Sequence, residues 1–91
     1  MKNTVEKIER ILRERFDPLH IEIADESAAH AGHAGAASGG GHYRVKIVSA
    51  RFEGMPPLAQ HRLVNEALAD LLQGEIHALA LTTLPTSGWQ K

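Results

Sequence analysis

Six histidines punctuate the chain, at His20, His30, His33, His42, His61 and His77. Neutral imidazole is a common ligand for transition metals, so two or more that converge can hold an ion. His30 and His33 stand three apart in a run of Ala, Gly and Ser, without the rigid spacing of a helical or zinc-knuckle site. There is no cysteine, so neither a disulfide nor a thiolate ligand can come from this chain. No G-x-S-x-G elbow, no phosphate-cradling P-loop and no paired-carboxylate arrangement is present. These residues suit a binding module rather than an enzyme.

Whether the histidines meet depends on the elements that carry them. Asn3 and Glu6 have the form of a capping box. From Val5, the apolar residues Ile8, Ile11, Leu12 and Phe16 recur at helical spacing, which predicts a helix with one buried face. Asp17-Pro18 ends it, because proline biases the preceding residue away from helical dihedrals. Leu19 to Asp25 alternates, with Leu19, Ile21 and Ile23 on a covered side and His20 and Glu22 on an exposed one. Residues 26–41 form a low-complexity loop without a large apolar anchor, and mobility is expected there.

His42 to Ser49 reads as a second strand, with Tyr43, Val45 and Ile47 on one face. Ala50 to Pro57 is a connector whose Pro56-Pro57 suits a turn or a first helical position. Leu58, Leu63, Val64, Ala67, Leu68, Leu71 and Leu72 mark one helix closed by Gly74 as C′ residue. Ile76 to Thr83 is a third strand, followed by a tail in which Trp89 packs back on the domain. The expected fold is a single small α/β domain over residues 1–91, in α-β-β-α-β order. Its mixed three-stranded sheet has helices on one face.

That order has a consequence for the histidines. Strands one and two form an antiparallel hairpin, and strands two and three a parallel crossover unit. Both later strands then start at the end where the hairpin loop hangs. His30, His33, His42 and His77 would gather there from segments far apart in sequence. The competing reading is a solvated loop, with His77 bonded to backbone. His61 and Arg62 lie in the second helix and are candidates for partner contact. Against this, a solvated face with an Arg62–Glu66 ion pair is the plainer expectation.

The charge balance disfavours one class of partner. Ten basic residues against eleven acidic ones give a formal −1, with no overall basic field to attract a phosphate backbone. No stretch approaches the roughly 18 apolar residues of a membrane span, and no signal-peptide core is visible. No membrane role is expected, and the cytoplasm is the expected location.

The runs Arg44-Val45-Lys46-Ile47-Val48-Ser49, Phe52-Glu53-Gly54, His61-Arg62-Leu63-Val64-Asn65-Glu66-Ala67-Leu68 and Ile76-His77-Ala78-Leu79 resemble the BolA-like family, of the BolA/YrbA type. Asp25-Glu26-Ser27 followed by His30-Ala31-Gly32-His33 fits the same resemblance, which covers nearly the whole chain. It implies a class II KH-like fold and a partnership with a monothiol glutaredoxin. The pair would share a [2Fe-2S] cluster whose ligands come from both chains and glutathione. By resemblance, His77 matches the family's ligand histidine, and His30, with His33 as alternative, the second position. A chain without cysteine cannot hold such a cluster alone, since thiolates are its usual ligands.

Three departures from the family pattern stand out. Met55 follows Gly54 where lysine is common, Gln60 precedes the HRLV run where arginine is common, and the tail before Trp89 lacks acidic residues. The first two are expected to remove surface cations. The alternative function is a DNA- or RNA-binding transcriptional regulator. KH domains grip backbone through a GXXG turn between helices, whereas Gly32-His33-Ala34-Gly35 lies in the hairpin loop. A third reading is plain metal binding by the histidine loop. Alone, the chain is expected to be a monomer or weak homodimer.

Overall fold

The computed structural model describes residues 4–26 and 41–89. Helix α1 spans Thr4–Phe16, and Ile8, Leu12 and Phe16, spaced four apart, are buried against the sheet. It stops at Asp17, whose φ of 43° is left-handed and whose N–H donates to the Arg13 carbonyl at 3.1 Å. A left-handed residue at this place closes the last turn, and Pro18 then prevents continuation. The Asn3 half of the expected capping box lies outside the described residues.

Three strands form one sheet in the order β1-β2-β3. Strand β1 (His20–Asp25) pairs antiparallel with β2 (Gly41–Val48), and β2 pairs parallel with β3 (Ile76–Leu84). Alternation puts Tyr43, Val45 and Ile47 on the helical side, where all three are buried. Full burial of such side chains is worth about 1.5–3 kcal/mol each. Leu19 departs from the expected pattern: it lies before β1 and is 60% exposed. Its N–H still donates to the Val48 carbonyl at 2.8 Å, so backbone pairing extends one residue beyond the covered face.

Beyond β2, Ser49 is buried and donates its hydroxyl to the Phe16 carbonyl at 2.6 Å. Its Oγ also accepts from the Arg51 N–H, capping a short 3-10 turn over Ala50–Phe52. Gly54 follows at φ 74°, where a β-carbon would be strained. Helix α2 covers Pro57–Ala67 and α3 covers Ala69–Leu72. The single helix expected here is thus broken at Leu68, whose ψ opens to 11°. Leu68 N–H to Val64 and Leu72 N–H to Leu68, both 3.0 Å, hold the pieces in line. Val64, Leu68 and Leu71 therefore all reach the core.

Gly74 is not the left-handed C′ residue expected from sequence, as its φ is not positive. The helix closes instead through tight i→i−3 bonds, Gln73 to Asp70 and Gly74 to Leu71, which occupy the last carbonyls. A second 3-10 turn, Thr86–Gly88, follows β3.

Candidate functional site

Strand β3 enters the sheet with an extra residue. Gly41 pairs with Ile76, but the next pair is His42 with Ala78, so His77 has no counterpart on β2. A bulge of this kind unpairs one residue and redirects its side chain. Ile76 is buried, whereas His77 and Ala78 in succession are exposed before Leu79 turns back toward the core. The imidazole of His77 meets that of His42, with centroids 5.4 Å apart and rings tilted by 47°.

Two neighbours hold this end in place. The Gly41 N–H donates to the Glu75 carbonyl at 3.0 Å, immediately before the bulge. A β-carbon on Gly41 would lie 2.5 Å from the Tyr43 ring, so only glycine fits beneath that buried side chain. The Glu75 carboxylate accepts from Lys7 Nζ at 2.9 and 3.0 Å and from Thr4 Oγ1 at 3.0 Å. These bonds, that from Lys7 foremost, hold Glu75 below the ordinary glutamate range. They tie the start of β3 to α1 across 68 residues of sequence. A shallow groove beside the pair is lined by Glu26, His42, Arg44, Ala78 and Ala80, and Arg44 Nε reaches Glu26 at 3.1 Å.

The convergence inferred from strand order therefore holds for His42 and His77. His30 and His33 lie outside the described residues. Among the described residues no three metal-binding side chains come together, so the pair offers two nitrogens and no closed site. Closed structural zinc takes four ligands, and a [2Fe-2S] cluster is usually held by thiolates. An exposed imidazole fits the part of one ligand in a shell whose remaining donors come from elsewhere.

His61 is half-buried and Arg62 exposed on α2, a different element from the two strands that bring His42 and His77 together. Among the ion pairs of the described residues the expected Arg62–Glu66 pair does not occur, which agrees with the small gain such exposed pairs bring. Gln60 also corrects an expectation. It is 4% exposed and donates to the Met55 carbonyl at 2.7 Å, so it occupies an interior position rather than one stripped of a surface cation.

Sequence reasoning also missed the environment of His20. Expected to be exposed, it stacks on Trp89 at 4.6 Å and 18°, and its Nε2 bonds Glu22. Lys46 Nζ lies 4.8 Å from the centre of the same indole. The tail is fastened by Glu53, which accepts from Thr86 Oγ1 at 2.7 Å, Ser87 N–H at 2.9 Å and Ser87 Oγ at 2.9 Å. Those donors, Thr86 first, hold the Glu53 carboxyl below its ordinary range. The one advance sign of this arrangement was the lone Trp89 near the end of the chain. Among the described residues no helix is long and apolar enough to cross a membrane.

Fold and site together define a small α/β domain that presents a histidine from a bulged strand. The model of the BolA-like protein family matches residues 12–87. The DNA-binding transcriptional regulator BolA of Vibrio cholerae is 44% identical over 92% of this chain and 76% of its own. BolA-like protein 1 of Mus musculus is 44% identical over 88% of this chain, which spans 56% of that relative's length. Among solved structures, BolA1 from Arabidopsis thaliana superposes with a TM-score of 0.86 at 33% identity, covering 99% of both chains. The BolA domain of SufE1 from the same plant gives 0.83 at 30% identity, over 98% of this chain and 99% of that one. The chain belongs to the BolA-like family.

Proposed function

We propose that this chain is a non-enzymatic partner of a monothiol glutaredoxin, working in the cytoplasm, and that His77 contributes a ligand to a shared [2Fe-2S] cluster. The observation that carries this reading is the bulge, which sets an exposed imidazole at the head of β3 beside a second histidine. The chain lacks thiolates, so a glutaredoxin cysteine and glutathione would supply sulfur. Imidazole in place of thiolate lowers the negative charge of the shell and raises the cluster's potential. The second ligand in this reading is His30, or His33. His61 and Arg62 are the helical residues assigned to partner contact.

The test is co-expression with a monothiol glutaredoxin, followed by visible absorption and circular dichroism of the purified pair. The expected result is a spectrum unlike that of the glutaredoxin homodimer, lost in His77→Ala. A spectrum unchanged by His77→Ala overturns the assignment.

DNA binding is the second reading, favoured by the Vibrio cholerae relative being named a DNA-binding transcriptional regulator. It calls for a shift of duplex DNA that survives moderate salt, because a purely phosphate-driven association fades steeply with added ions. A shift abolished by that salt would set this reading aside.

A further inference from the structure

The two edges of the sheet are built differently. Strand β1 is six residues long, carries Glu22 and Asp25, and begins beneath Trp89. Short length, charge and a covering side chain are the usual protections of an edge. Strand β3 runs nine residues, Ile76 to Leu84, and has neither an acidic or basic side chain nor a proline after His77. Its bulge lies at the very start, leaving Ala78 to Leu84 in regular register with β2. Among the described residues no strand pairs with its outer side.

We propose that this outer edge pairs antiparallel with the same strand of a second copy of the chain, about a two-fold axis at Ala80. In that register Ala78 faces Thr82 of the second copy, and Leu79 faces Leu81. Ala78, Ala80 and Thr82 are exposed, and Leu79 and Leu81 are partly buried on the helical side. The leucines thus extend the apolar layer across the axis, while small side chains meet on the open face.

Every pair in this register is neutral, so self-association brings no like charges together. The same alternation of small and branched residues makes the strand its own complement, and isologous pairing closes at two copies. Edge pairing over so few residues falls short of the roughly 1,000 Å² typical of a stable interface. The dimer is therefore weak and concentration-dependent, and it stands independently of the cluster reading.

Sedimentation velocity on the full chain, from about 10 μM to about 1 mM, tests it. The mass should rise from one chain toward two. Ala80 is exposed, so Ala80→Lys and Ala80→Glu keep the fold, as circular dichroism would verify. Each variant alone should remain monomeric, and an equimolar mixture should regain association. A wild type monomeric at the highest concentration, or an Ala80→Lys variant that associates equally well, overturns the proposal. A mixture that stays monomeric overturns the two-fold at Ala80.

Discussion

At one end of the sheet His42 and His77 meet at the surface; at the other, His20 is pressed against Trp89 and bonded to Glu22. The residue type is the same, and what separates the two places is competition for the ring. His20 has an indole on its face, a carboxylate at Nε2, and Lys46 crowding the same indole. His77 has one tilted imidazole as neighbour and is otherwise exposed. Histidine becomes available for ligation where the backbone lifts it clear of packing, and structural where side chains close around it.

The comparison can be broken most forcefully at Gly41. Gly41→Ala drives a β-carbon into the Tyr43 ring and should cost about 1–3 kcal/mol in urea unfolding. It should also separate His42 from His77, seen as loss of their cross-ring nuclear Overhauser contacts. At the other end, Trp89→Ala removes the stack and the Lys46 contact and should cost about 1–2 kcal/mol. The His42–His77 contacts should persist in that variant.

Acid should act on both ends, through Glu75 beside the histidine pair and through Glu53 and Glu22 at the tryptophan end. Glu53 and Glu22 are held below the ordinary glutamate value, Glu53 by Thr86 and Ser87, Glu22 by His20. Carboxyls depressed in the folded state stabilise it above their unfolded value of about 4.3, and that contribution is lost as pH falls through the folded value. Trp89 fluorescence should therefore change below about pH 4, and Glu53→Ala should remove the tail's share of that change. The smallest effect belongs to the site itself: His77→Ala, at an exposed unpaired position, should shift stability by no more than about 0.5 kcal/mol. A much larger loss would mean that His77 is structural and would erase the contrast between the ends.

Much of this architecture is written in local periodicity. The four-residue spacing of Ile8, Leu12 and Phe16, and the alternation of Tyr43, Val45 and Ile47, each name a buried face, and those faces form the core. Strand order then brought His42 and His77 to one end. The bulge itself was not legible, because alternation reports which side a residue faces and not which residue it pairs with. The Lys7–Glu75 bond joins segments 68 residues apart that nothing local relates. His20 reads as exposed for the same reason, since the indole that covers it arrives from near the other end of the chain. Gln60, polar in type, reads as surface, and its burial depends on the carbonyl of a turn that had to be folded first.

Because His77 is the residue without a counterpart on β2, the strand carries it as an insertion rather than a substitution. Excising that single position would join Ile76 to Ala78 and leave an unbroken ladder with the same inward and outward residues on either side. The frame and the proposed ligand can thus be edited separately: the scaffold's inside-outside code is blind to this one residue.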